Sequence, residues 1–133
     1  MVSGWANPSA DEGYGSTRWM SPELLDTEVL GQATRKKASD LYALGMVVYE
    51  VLSGHVPFHL HACHIVPVKV LRGDRPERPQ GPGGRWFTNE IWELLERCWK
   101  HQPGDRPSVN QAFECLHTAS ELWTPHSLPA VGL

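Results

Sequence analysis

Between Leu41 and Leu52 the apolar positions do not keep to one stripe. Leu41, Leu44, Met46, Val47, Val48, Tyr49, Val51 and Leu52 cover nearly every face of a helix, and a helix apolar all round belongs in an interior. Ser39 and Asp40 stand at its start, where a side-chain oxygen can accept from free backbone N–H groups and a carboxylate complements the helix dipole. Ser53-Gly54 ends it. The pattern predicts a buried central helix over about 39–53, each buried side chain contributing about 1.5–3 kcal/mol. Ile91, Leu94, Leu95, Cys98 and Trp99 recur at i, i+3, i+4, i+7 and i+8, which predicts an amphipathic helix stopped by Pro103-Gly104. Ser108 and Gln111 have capping-box spacing ahead of a last helix whose inward stripe reads Val109, Ala112, Phe113 and Leu116. Two short helices complete the pattern. One starts at Ser21-Pro22 and ends near Asp26 to Leu30, and one runs from about Pro67 to Gly73 with its proline in the first turn. No strand pair and no internal repeat is visible, so the fold class is mainly α.

The segments between are turn-like. Residues 1–15 are rich in Gly, Ser, Asp and Pro without periodicity and read as loop or disordered. His55 to Cys63 reads as a loop. Arg75 to Gly84 has the composition of a linker but is read as an internal loop, because patterned sequence continues beyond it. The tail after Trp123 should fray. A length of 133 residues suits one domain with a real core, and 41% hydrophobic residues speak against disorder. A net charge of −3 with seven histidines gives no broad basic field for nucleic acid.

Cys63, Cys98 and Cys115 form no disulfide framework and fit a reducing compartment. Met1 to Pro8 has no charged start followed by an apolar stretch, so no signal peptide is read. The longest apolar segment, Leu41 to Tyr49, is well short of the roughly 20 residues that cross a bilayer. A soluble cytoplasmic chain with no membrane and no nucleic-acid partner is expected. His59, His61, Cys63 and His64 are metal-ligating types. They come from one short loop, however, whereas zinc draws four converging ligands from a turn plus a second element. No metal site is expected.

Three strings in a fixed order carry a resemblance. Ser16-Thr17-Arg18-Trp19-Met20-Ser21-Pro22-Glu23 resembles the end of a protein kinase activation segment, the variant of A-P-E with Ser in place of Ala. Ser39-Asp40-Leu41-Tyr42-Ala43-Leu44-Gly45 resembles the D-x-W-x-x-G opening of the helix through the kinase C-lobe, with Tyr42 where Trp is usual. Arg106-Pro107-Ser108 resembles the arginine that closes the domain. The resemblance runs from about Gly15 to about Leu116 and covers only the last part of a kinase domain. It implies a helical C-lobe fragment of the protein kinase fold. Residues 1–15 would be a remnant of the activation segment, 16–120 a partial kinase domain and 121–133 a tail.

The family transfers the γ-phosphoryl of ATP, with magnesium, to Ser, Thr or Tyr hydroxyls of proteins. Its phosphoryl-transfer parts are a Gly-rich loop, a strand lysine, an H-R-D loop and a D-F-G metal ligand. None is found in this chain. Gly81-Pro82-Gly83-Gly84 neither follows a strand nor opens a helix. Asp11-Glu12-Gly13 resembles a degraded D-F-G but lies too near Glu23 to leave a normal activation loop. The resemblance therefore implies no catalytic residue and no cofactor held by this chain. ATP and magnesium would belong to the complete domain, and these 133 residues alone should be inactive.

Roles for individual residues follow from the same resemblance. Glu23 and Arg106 would form a buried ion pair between the activation segment and the C-lobe. Asp40 would anchor the central helix to the catalytic loop. With that loop missing, it either caps its own helix or keeps unmet acceptor capacity. Tyr42 can fill the space of the usual Trp, but its hydroxyl needs a partner. Ser16, Thr17, Arg18, Trp19 and Met20 would be substrate-side residues. Ser16 stands at the family's hydroxyl position, and Trp19 and Met20 line the pocket for the residue after the phosphoacceptor. Without a catalytic loop to face, this segment is otherwise simply flexible.

Arg-Trp-Met-Ser-Pro-Glu resembles tyrosine kinase-like Ser/Thr kinases, while Cys98-Trp99 with Pro103 and Arg106-Pro107 is shared with tyrosine kinases, so the acceptor stays open. Ser9, Tyr14, Ser16 and Thr17 are modifiable in principle. The H-R-D arginine that would order a phosphate is missing, so no such switch is expected. Two alternatives stand beside the fragment reading. One is a non-catalytic interaction module with a protein substrate or regulatory protein as partner. In that case the missing N-terminal half should leave apolar surface uncovered on one face of the central helix and near Trp19. The other is a truncated gene product.

Overall fold

The computed structural model describes residues 17–26 and 37–122. Ser16, the Asp11-Glu12-Gly13 string, the candidate modification sites Ser9 and Tyr14, the loop around Gly31 and the tail from Trp123 lie outside the described residues. Among those described there is no strand. A 3-10 turn at Thr17–Trp19 leads into α1 (Pro22–Leu25), followed by α2 (Lys37–Ser53), α3 (Val66–Leu71), α4 (Asn89–Cys98) and α5 (Val109–Leu122). Further 3-10 turns cover Gly81–Gly84 and Pro103–Asp105. No helix is long and apolar enough to cross a membrane.

The helix ends follow side-chain chemistry. Thr88 caps α4 by accepting from the Ile91 N–H. Ser108 and Gln111 form the reciprocal capping box of α5: the Ser108 N–H donates to Gln111 Oε1 at 2.8 Å and the Gln111 N–H to Ser108 Oγ at 3.1 Å. Pro22 and Pro67 sit in the first turns of α1 and α3, where a missing N–H costs nothing. Gly54, at φ 79°, releases the chain from α2 in the left-handed region that glycine enters freely. Helix α1 ends at Leu25, and Ser21, although fully buried, does not cap it with its side chain.

Helix α2 is the hub. Leu41, Tyr42, Met46 and Tyr49 are buried in one core with Val66 and Val70 of α3, Ile91, Leu94 and Leu95 of α4, and Ala112 and Ala119 of α5. α2 packs on α4, and α4 on α5. The approach of α2 to α4 depends on Gly45. A Cβ there would lie 2.7 Å from Trp99 Nε1 and 3.0 Å from Cys98 Cβ. The indole of Trp99 is wedged in turn by edge-to-face contacts with Tyr49 and Trp92 at 6.2 and 5.6 Å.

Two expectations of side-chain direction are corrected. Helix α2 is not buried all round, because Leu44, Val47 and Val51 are exposed, Val51 to 73%. Val47 and Val51 border a groove of about 230 Å³ between α2 and α5, lined also by Val48, Leu52, Ile91 and Leu116. No described element covers that face. The inward stripe of α5 is Ala112, Leu116 and Ala119, with Cys115 partly buried, whereas Val109 and Phe113 point outward. The small side chains of Ala112 and Ala119 let α5 approach α4 closely, and Phe113 stacks on His117 instead.

Candidate functional site

Arg106 makes more side-chain hydrogen bonds than any other described residue. Its side chain has no exposed surface, and its five N–H donors match five bonds. Nη1 donates to Glu23 Oε2 at 2.8 Å and to the Ala38 carbonyl at 2.9 Å. Nη2 donates to Glu23 Oε1 at 2.8 Å and to the His101 carbonyl at 3.3 Å, and Nε donates to the Lys100 carbonyl at 2.9 Å. The two parallel bonds to Glu23 are the fork geometry a guanidinium offers a carboxylate. Ser39, buried in the first turn of α2, completes the carboxylate by donating to Oε2 at 2.8 Å. Burial alone would raise the Glu23 carboxyl. The bonds from Arg106, its own backbone and Ser39 outweigh that and hold it at about 2. This cluster joins α1, the start of α2 and the chain entering α5.

Beneath it lies Tyr42, fully buried, with the Arg106 and Arg75 guanidinium groups 5.2 and 5.3 Å from its ring centroid. Burial pushes its hydroxyl up to about 12 against the pull of both cations. That hydroxyl has no hydrogen-bond partner among the described residues. The polar contact its chemistry called for is therefore unmet, and the ring is retained for packing and its π face. Replacing Tyr42 with phenylalanine should be neutral or stabilise the fold by up to about 1 kcal/mol, because an unpaired buried hydroxyl carries a desolvation cost. Urea denaturation of the two proteins checks this, and a loss above about 1 kcal/mol would contradict it.

Asp40 does not cap α2. The helix starts at Lys37, which places Asp40 inside its first turn and exposed. Its charge still favours the helix N-terminus. Ser39, the other cap candidate, is turned toward Glu23.

The segment before α1 packs against α2 and α3. Thr17 is buried, and Trp19 and Met20 are half-buried against the core. Trp19 Nε1 donates to Glu50 Oε1 at 3.0 Å. Arg18 turns inward. Nη1 donates to the Pro57 and Phe58 carbonyls at 3.0 and 2.7 Å, and Nη2 to the His61 carbonyl at 2.8 Å and Cys63 Sγ at 3.3 Å. It thus fastens the loop in which buried Phe58 adopts φ 57°, a left-handed conformation that costs a bulky residue about 1–2 kcal/mol. Two further arginines escaped notice in the sequence. Arg75 donates to the Trp99, Val70 and Asp74 carbonyls, tying α3 to the end of α4, and Arg78 donates to Asn89 Oδ1 and the Phe87 carbonyl.

No three His, Cys, Asp or Glu side chains converge among the described residues. Gly81–Gly84 is a 3-10 turn with Pro82 near its start.

A helical half-domain whose early Pro-Glu is locked by a late buried arginine, around one central helix, defines a protein kinase C-lobe. The sequence pattern of the protein tyrosine and serine/threonine kinase family matches residues 6–116, and the chain belongs to that family. Among its relatives are a probable serine/threonine-protein kinase of Dictyostelium discoideum (33% identical over 102 residues, 77% of this chain and 10% of that protein) and atrial natriuretic peptide receptor 2 of Homo sapiens (31% over 102 residues, 74% of this chain and 10% of that one). The proto-oncogene tyrosine-protein kinase ROS of Rattus norvegicus is 34% identical over 99 residues, which are 73% of this chain and 4% of that protein. The chain thus spans about a tenth or less of the length of these relatives.

Proposed function

We propose that this chain is the structural and substrate-side half of a protein kinase domain and does not itself transfer phosphate. Phosphoryl transfer rests almost wholly on positioning and charge stabilisation, and these residues supply neither a base nor a phosphate-binding lysine. The observation that carries the reading is the Glu23–Arg106 lock, which holds the 17–26 segment on the helical core at 2.8 Å. Thr17, Arg18, Trp19 and Met20 then form part of the wall that faces a protein substrate, with Arg18 setting the loop beside that wall instead of meeting the substrate. The uncovered α2 face at Leu44, Val47 and Val51 would be covered by the N-terminal half of a complete kinase domain.

Incubating the purified chain with ATP, magnesium and a generic Ser/Thr/Tyr peptide mixture should give no transferred phosphate. Transfer above the no-protein control that persists through repurification would overturn the reading. The uncovered apolar face also favours a second reading, a non-catalytic module that binds a partner protein. A monomeric chain with one sharp thermal transition would favour the module, and aggregation or loss of fixed tertiary packing would favour the half-domain.

A further inference from the structure

The loop leaving α2 carries four histidines, and three of them, His55, His59 and His61, line one wall of a cavity of about 670 Å³ whose facing wall includes residues 74–79. Within that loop the His55 and His59 rings stack, with centroids 4.3 Å apart and planes 13° from parallel. Arg18 holds the carbonyls of Pro57, Phe58 and His61 on either side of His59. Its guanidinium is a further cation close to the stack.

Neutral imidazoles tolerate this arrangement. Two protonated rings would place like charges 4.3 Å apart beside a third. Little around the pair would offset them. Across the cavity stand Lys69, Asp74, Arg75, Glu77 and Arg78. Asp74 is taken by Lys69 and Arg72 at 3.4 and 3.1 Å, which leaves Glu77 as the lining carboxylate with no ion pair among the described residues. His61 lies on the same loop. The ring stack and the Arg18 bonds to the Pro57, Phe58 and His61 carbonyls oppose that repulsion, and both sit next to the left-handed Phe58, already the least relaxed backbone of the loop.

We propose that the His55–His59 stack is a proton-operated latch on the loop that walls this cavity, closed while both rings are neutral and released when both are protonated. Slight desolvation of a largely exposed ring, then the charges of His55, Arg18 and His61, lower His59 from the ordinary imidazole value. The sign follows: the opened loop binds the proton more readily than the closed one, so closure is favoured above the ordinary histidine range and weakens as pH falls through it. Both rings are exposed, so added salt should shrink the effect.

The test is an NMR titration of the full chain and its His55→Gln variant, with amide-exchange protection factors at residues 58–61 measured at pH 7 and pH 5. The His59 midpoint should rise by several tenths of a pH unit in the variant. Protection at 58–61 should fall several-fold on acidification in the parent chain and hold steady in the variant. A His59 midpoint unmoved by His55→Gln overturns the proposal. So does a fall in protection of equal size in both proteins, or none in either.

Discussion

Replacing Arg106 with methionine is expected to cost about 3–5 kcal/mol, a large fraction of the roughly 5–15 kcal/mol that holds a typical domain folded. The substitution keeps most of the buried volume but strands the Glu23 carboxylate and removes three further bonds to the Ala38, Lys100 and His101 carbonyls. Adding Glu23→Leu should restore part of the loss, since a buried pair replaced by apolar groups is often close to neutral while half a pair is not. Urea midpoints of the parent, the two single variants and the double variant measure this directly. A loss below about 1 kcal/mol for Arg106→Met would mean the lock is ornamental.

The same cluster fixes an acid limb. The folded Glu23 carboxyl lies at about 2, well below its ordinary 4.5, so the unfolded chain takes its proton first as pH falls. The contribution, roughly 3 kcal/mol at about 1.4 kcal/mol per pH unit, is complete above about pH 4.5 and disappears toward pH 2. In Arg106→Met that limb should flatten.

Gly45→Val is expected to be the next most damaging change, at about 2–3 kcal/mol. Valine gains a few tenths of a kcal/mol in helix preference over glycine. Against that, its Cβ alone would meet Trp99 Nε1 at 2.7 Å, and the indole cannot swing aside because Tyr49 and Trp92 hold it edge-on. Helices α2 and α4 must separate, and the core between them loosens. Thermal unfolding should fall by roughly 10 °C for a domain of this size. An unchanged midpoint would show that α4 can shift without cost.

Helix order and type were legible because their signals are local. The i, i+3, i+4 spacing from Ile91, the Ser108–Gln111 box and the prolines at 22 and 67 each act within a turn or two. The pairing of Glu23 with Arg106 was legible only through family resemblance, since nothing in the chain spacing brings two residues 83 positions apart together. What stayed hidden has two physical causes. Arg18, Arg75 and Arg78 bond mainly to backbone carbonyls, which every residue possesses, so no pattern of side chains marks their targets. And an apolar helix face says that cover is wanted, not that cover is present. Leu44, Val47 and Val51 look the same in sequence as Leu41, Met46 and Tyr49, and only the fold separates them. On α5 the small residues turned inward and the large Val109 and Phe113 outward, because closeness of approach outweighed the area that Val109 and Phe113 would have buried.

The length of chain between the two halves of the lock also bears on folding order. Closing a loop of 83 residues carries an entropy cost that only the finished contact repays, and contacts of such separation form slowly. On the ribosome the carboxylate of Glu23 emerges long before its guanidinium. The N-terminal turns must therefore wait unfastened until residue 106 has cleared the exit tunnel, and any nascent chain halted short of it leaves them without their anchor.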